Sequence, residues 1–156
     1  MTTVTSSTGT TTLDLAAIRT DGGTQPRAQL DADTIARYTD AMRQGDTFPP
    51  VVVFYDGDHY WLADGFHRVM AAKTASRDTI TADVHQGTQD DAIVYSWGAN
   101  DAHGLPRNAE DKRRVVLAAL AKYPQWSDRE IARRCRVSHP FVGKLRERTG
   151  KVSSTR

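Results

Sequence analysis

Apolar positions are scarce at the start of the chain. Residues 1–12, MTTVTSSTGTTT, are rich in Thr and Ser. They bury too little surface to offset chain entropy, so a disordered tail is expected there. Leu13–Ile18 alternates weakly, as a short strand would. Gly22 and Gly23 mark a loop, and Gln25-Pro26-Arg27 follows. From Asp31 to Gln44, Ile35, Tyr38, Ala41 and Met42 fall at helical spacing, and Gly45 supplies a stop. Pro49-Pro50 leads into Val51-Val52-Val53-Phe54-Tyr55, a β-branched and aromatic run. Asp56-Gly57-Asp58 is a turn signal before a second run, His59–Ala63, and the pair predicts a hairpin. Phe66–Ala75 returns to helical spacing, with Val69, Met70, Ala72 and Lys73 as a candidate buried stripe. Thr79–His85 alternates as a strand. Gln89–Ala99 is helical again, with Ala92, Val94, Tyr95 and Ala99 available for packing.

Beyond residue 107 the pattern is helical throughout. Asn108 caps a helix whose first turn holds Glu110 and Asp111, where the helix dipole favours acids. Val116, Leu120 and Tyr123 share one face of it, and Pro124 ends it. Ser127-Asp128-Arg129-Glu130 has the S-x-x-E spacing of a capping box. Ser138 caps a third helix with Pro140 in its first turn. Ile131 and Cys135 form one inner face, Val142 and Leu145 the facing one, and the small Ala132 sits where the two helices approach.

These last two helices resemble a DNA-binding helix-turn-helix, in which a short second helix is held so that its first residues reach base edges. Its outward positions are His139, Pro140, Gly143, Lys144, Glu147 and Arg148. Lys144, Arg146 and Arg148 can neutralise phosphates, and Ser138 with the helix start can hold another. Arg134 and Arg136 complete the candidate DNA-binding set. Arg136 stands where such motifs usually carry Gly, and a left-handed backbone there costs about 1 kcal/mol.

Charge sharpens this division. Residues 1–106 carry 7 Lys/Arg and 14 Asp/Glu, a net of −7, whereas residues 107–156 carry 14 and 5, a net of +9. Such a basic third of a chain is the electrostatic footprint of a nucleic-acid binder. The single cysteine, Cys135, excludes an internal disulfide and a cysteine-rich zinc site. No apolar run approaches the roughly 20 residues that span a bilayer, and the N-terminus has no signal-peptide pattern. A cytoplasmic protein without membrane partners is expected.

Ala63-Asp64-Gly65-Phe66-His67-Arg68 runs a strand through Gly into a helix. Backbone N–H groups at such a helix start attract anions, and His67 and Arg68 add cationic donors, so the loop suits a nucleotide's phosphates. The other reading of the same residues is a tight turn whose Arg pairs with a neighbouring carboxylate. Asp56, Asp58 and Asp64, with His59 and His67, raise a metal-dependent nuclease as an alternative. Asp is also common in turns for local hydrogen-bonding reasons, and that reading is favoured for Asp56 and Asp58, so no metal ligand is assigned.

The order of these features resembles the ParB partition-protein family and, more broadly, the ParB/sulfiredoxin superfamily, over about residues 13–148. The ParB loop reads roughly G-E-R-R-x-R-A and cradles CTP. Gly65, Arg68 and Ala71 match it, and Phe66, His67 and Met70 depart from it. The sulfiredoxin loop reads G-C-H-R and binds ATP. Gly65, His67 and Arg68 match, and Phe66 replaces the catalytic Cys, so sulfiredoxin chemistry is not expected. A second ParB motif, roughly E-N-x-x-R, corresponds to Ala99-Asn100-Asp101-Ala102-His103, where Asn100 matches and Arg107 substitutes further on. Asn100–Arg113 resembles the short ParB-like proteins of phages, plasmids and actinobacteria.

The expected fold class is therefore α+β. A disordered tail (1–12) precedes a small mixed α/β domain of ParB/sulfiredoxin type (13–100), and an all-α helix-turn-helix domain (108–150) follows. The resemblance implies a homodimeric, regulatory or partition-like binder of double-stranded DNA. It also implies CTP or ATP, with Mg²⁺, at Asp64, Gly65, Phe66, His67, Arg68, Asn100 and Arg107. The alternatives are a nucleoside triphosphatase or nuclease built on the same domain, and an adaptor whose basic helices bind an acidic partner.

Overall fold

Two β-branched runs that pair across a tight turn organise the sheet. The computed structural model describes residues 10–22, 24, 31–99 and 107–149. Strands β3 (Val51–Tyr55) and β4 (Tyr60–Asp64) form the expected hairpin. Gly57 takes a φ of 104°, which suits a residue without Cβ. Asp56 Oδ1 accepts from the N–H of Asp58 (2.8 Å) and His59 (2.7 Å), and its Oδ2 from the Trp61 indole (2.9 Å). This commits Asp56 to its own turn, as the local reading of that residue expects.

The Trp61 indole, followed by the His59 and Asp58 amides, holds the Asp56 carboxyl down at about 2. Its folded pKa lies below the unfolded value of about 3.9, so its stabilisation is complete above that value and is lost as pH falls toward about 2. Asp56→Asn is expected to flatten the acid limb of stability in that window. Urea titrations at stepped pH, followed by tryptophan fluorescence, would show it, and an unchanged limb would contradict it.

The remaining strands are β1 (Thr10–Asp14), β2 (Ile18–Arg19) and β5 (Thr79–Gln86), giving the sheet order β1-β5-β3-β4-β2. β5 lies antiparallel to β1 and parallel to β3, and β2 runs parallel to β4. β1 corrects two expectations. It starts inside the stretch expected to be disordered, because Thr10–Thr12 pair with Thr81–Asp83 of β5. The expected strand Leu13–Ile18 is instead interrupted by a 3-10 turn, Leu15–Ala17. Threonine is β-branched and suits a strand once a partner edge exists, which local composition cannot reveal.

Alternation along β3 divides the packing. Val51 and Val53 face helices α1 (Ala32–Arg43) and α2 (Phe66–Thr74), joining Tyr38, Met42, Leu62, Val69 and Ala72 in one core. Val52, with Trp61 and Ala63, faces Ala92 of α3 (Gln89–Trp97) on the other side. Asp31 caps α1 by accepting from Thr34 N–H at 3.2 Å. Thr88 and Asp91 form a reciprocal capping box on α3.

Helices α4 (Ala109–Lys122), α5 (Asp128–Cys135) and α6 (His139–Thr149) share a third core of Val115, Val116, Ala119, Ile131, Cys135, Val142 and Leu145. Trp97, the last residue of α3, is buried in that core too. Helix α3 thus packs on the sheet along one side and on α4 and α5 along another. Asn108 and Asp111 form a reciprocal capping box. At Ser127 only half of the expected box forms. Ser127 Oγ accepts from Glu130 N–H (3.0 Å), but the Glu130 carboxylate turns to Arg133 (2.7 Å) and Arg134 (2.6 Å). Two guanidinium partners outcompete one backbone amide. No helix among the described residues is long and apolar enough to cross a membrane.

Candidate functional site

The strand-to-helix loop forms as its residues predict. Gly65 is the N-cap of α2 with φ 110°, and no side chain caps the helix. The first N–H groups of α2 therefore point out of the helix without intrahelical acceptors. A Cβ on Gly65 would sit 2.5 Å from Val51 Cγ1 and 3.3 Å from Arg68 Cζ. The space that glycine leaves is used for internal packing.

The loop's side chains turn inward, which corrects the expected donor set. Phe66 joins the core of α1, α2 and the sheet. His67 is 2% exposed, and its Nε2 accepts from the Asp31 N–H at 3.0 Å. This bond commits Nε2 of His67 to the start of α1. Arg68 is 2% exposed and donates through one Nη to the carbonyls of Pro49 (2.8 Å) and Pro50 (2.9 Å), with its other Nη 3.7 Å from Asp64 Oδ2. This is the turn-and-carboxylate arrangement. Arg68 Nε has no hydrogen-bond partner among the described residues.

Arg68 also lines a cavity of about 310 Å³ between the end of α1, the connection 45–49, α2 and the start of β5. Met42, Phe48 and Ile80 give it apolar wall, and Arg77 adds a second guanidinium. The first β3–β5 pair is Val51 with Ala82, so Thr79–Thr81 border the cavity where β3 has not yet begun. Sequence reasoning missed this place: Gly45 reads as a helix stop and Arg77 as a loop residue, and nothing local joins them.

On the other sheet face, Tyr95 lies near the loop. Partial burial, then the charges of Asp64 and Asp83, push its phenol above the usual value. Tyr95 also stands beside Phe54 and His85, with ring centroids 5.6 and 5.9 Å away. Gln25-Pro26-Arg27 and Asn100 lie outside the described residues.

Arg107, assigned by resemblance to a nucleotide, is engaged elsewhere. It donates to the carbonyls of Trp97 (2.9 Å), Cys135 (2.8 Å) and, at 3.4 Å, Arg136. Cys135 is buried, and that burial pushes its thiol up to about 12 despite the Arg107 charge.

The candidate DNA residues separate into two groups. Ser138, His139, Pro140, Lys144 and Arg148 are exposed, and Gly143 is partly so. Ser138 Oγ accepts from Phe141 N–H at 3.3 Å, capping α6. Arg136, also exposed, closes α5 in the left-handed conformation expected for that position, with φ 59° and ψ 50°. Arg134 and Arg146 are instead engaged within the helical unit. Arg134 pairs with Glu130 and lies 4.9 Å over the Trp126 ring. Arg146 donates to Asp128 (2.7 Å) and to the carbonyls of Trp126 (2.8 Å) and Pro124 (3.2 Å).

A five-stranded mixed sheet, a Gly-capped helix after a strand, and a following three-helix unit define a partition-protein type of architecture. A family model of the ParB N-terminal domain matches residues 1–100, and the chain belongs to that family. The chain is 32% identical over 101 residues to the transcriptional regulator NovG of Streptomyces niveus, covering 65% of this chain and 31% of that protein. It is 32% identical over 85 residues to a "Streptomycin biosynthesis operon possible regulatory protein" of Streptomyces griseus, covering 54% and 24%. The chain thus spans a third or less of the relatives it matches.

The C-terminally truncated chromosome-partitioning protein ParB of Caulobacter crescentus is similar in fold. Bound to the centromeric parS site, it matches with a TM-score of 0.60 at 15% identity, covering 86% of this chain and 69% of that one. With CTP-gamma-S the TM-score is 0.52 at 16% identity, covering 88% and 76%.

Proposed function

We propose that this chain is a DNA-binding regulator that reads double-stranded DNA with the N-terminal half of α6, as a dimer on paired half-sites. One observation carries this reading. The exposed residues at the start of α6, Ser138, His139, Pro140 and Lys144, follow a capped turn and stand on a buried core within the part of the chain that carries a net +9. The regulatory names of the Streptomyces relatives and the parS complex of the Caulobacter protein support it.

The test is fluorescence anisotropy of labelled random-sequence duplex across a salt series. The expected result is an affinity that falls log-linearly with salt, by about 0.9 in slope per phosphate neutralised. A slope near zero would overturn the reading and favour a protein partner.

A second reading, nucleotide binding, is favoured by the cavity beside Arg68. Its volume of about 310 Å³ lies at the lower end of the range for small-molecule sites. The fit is to this cavity, whose wall from α2 is Arg68 and Ala72, not to a side-chain cradle of residues 66–68. Arg68 and Arg77 line it, the first held by the Pro49 and Pro50 carbonyls and the second donating also to the Met42 carbonyl, and the nucleotide would act as an allosteric ligand of DNA binding. Titration with CTP and with ATP, each with and without Mg²⁺, tests it through Arg77→Ala. Saturable binding weakened by that variant supports the reading, and no saturation at millimolar nucleotide overturns it.

A further inference from the structure

We infer that Arg107 is a positioning residue for DNA recognition, its guanidinium fastening the α5–α6 turn to the end of α3. The inference rests on the DNA-binding reading of α6. Three observations converge on it.

First, the carbonyls that Arg107 contacts are helix ends. Trp97 closes α3, and Cys135 and Arg136 close α5. Carbonyls at a helix C-terminus lack intrahelical donors and carry partial negative charge. A planar guanidinium with a rigid fork of N–H groups can satisfy two such ends at once, which an ammonium cannot do in the same geometry.

Second, the two helix ends meet closely, with Gly98 against the Arg134 backbone and the Arg136 side chain. A Cβ on Gly98, the residue that closes α3, would lie 2.7 Å from the Arg134 carbonyl oxygen and 3.4 Å from Arg136 Cγ. Glycine is needed at 98 for this close approach of two backbones. Its φ of −104° is open to any residue, so the requirement is purely one of space.

Third, the fastened turn leads straight into the proposed reading head. Cys135 and Arg136 are followed by Val137 and by Ser138, the cap of α6. Trp97 is itself buried in the helical core, 6.3 Å from the Trp126 ring centroid. The orientation of the first turn of α6 is thereby referred to α3, and through α3 to the sheet. A recognition constellation must be held to about half an ångström, so a small shift at this turn is felt at the base edges. Arg107 touches no DNA in this scheme and acts through backbone carbonyls.

The experiment uses the full chain. Sites are first enriched from a random duplex library with the unmodified protein. The affinity ratio of enriched to random duplex is then measured for Arg107→Lys, Arg107→Ala and Gly98→Ala, beside their thermal midpoints. Arg107→Lys keeps the charge at the helix ends and loses the fork. Its midpoint is expected to stay close to that of the unmodified protein while the affinity ratio falls about tenfold. Gly98→Ala leaves the guanidinium intact and is expected to lower the ratio in the same sense, which keeps the inference testable if Arg107→Ala does not fold. An unchanged ratio in both Arg107→Lys and Gly98→Ala would overturn the inference and leave the DNA-binding reading standing. Absence of salt-dependent binding by the unmodified protein would overturn both.

Discussion

Arg68→Ala is expected to destabilise the fold by about 3 kcal/mol, the scale for removing one partner of a buried charge network. The side chain is 2% exposed, and its guanidinium serves the Pro49 and Pro50 carbonyls and stands 3.7 Å from Asp64. Those carbonyls immediately precede Val51, which is fully buried at the start of β3. The variant leaves two acceptors without their donor, a partly buried carboxylate short of a cation, and a void beside Ala72. Arg68→Lys should recover little, because a single ammonium cannot reproduce the fork. Urea denaturation followed by circular dichroism measures this, and a change below about 0.5 kcal/mol would contradict the buried-clamp account. Loss of nucleotide binding in Arg68→Ala would therefore not identify a ligand contact. Arg77 lines the same cavity and also donates to the Met42 carbonyl at the end of α1, so binding by Arg77→Ala is read beside its melting temperature.

Lys144→Ala combined with Arg148→Ala is expected to weaken duplex binding at least tenfold and to reduce the salt slope by about two units, one for each lost phosphate contact. Both side chains are exposed on α6, and neither has a hydrogen-bond partner in the core, so the fold should tolerate the change. Arg146→Ala should behave oppositely. Its guanidinium ties α6 to Asp128, Trp126 and Pro124, so the first effect is a lower melting temperature. If Lys144→Ala/Arg148→Ala binds duplex with an unchanged slope, α6 is not the reading helix. The three arginines of this region that look alike in the sequence, Arg134, Arg146 and Arg148, thus have different work, set by what each finds within reach.

Much of the architecture was legible because its signals are local. Asn108, Ser127 and Ser138 cap the helices they precede. Gly45 and Gly57 take the positive φ that stops a helix or turns a hairpin. Cys135, Val142, Leu145 and Ile131 fall on buried faces as their spacing predicts. Helix stripes were less legible. Tyr95 is exposed while Ser96 and Trp97 are buried, because α3 lies against two neighbours and its buried surface follows both. Thr34 and Thr39 are buried in α1 although polar, since Thr39 Oγ1 donates to the Ile35 carbonyl at 2.7 Å and Thr34 bonds to its cap. The threonines of β1 gained their strand from the free edge of β5, a partner some seventy residues away.

The sequence by itself determined the helices and the strands β3, β4 and β5, where charge accumulates, and which family the chain belongs to. Each of these depends on spacing, composition or local backbone chemistry. Only the tertiary structure decided which way the cations point. Arg68 stands at a helix start that would present it to an anion, yet the Pro49-Pro50 carbonyls draw it inward. Arg107 stands in a connecting segment, yet two helix ends converge on it. A long charged side chain takes its direction from whichever acceptors the fold brings within hydrogen-bonding distance, and those acceptors are remote in sequence.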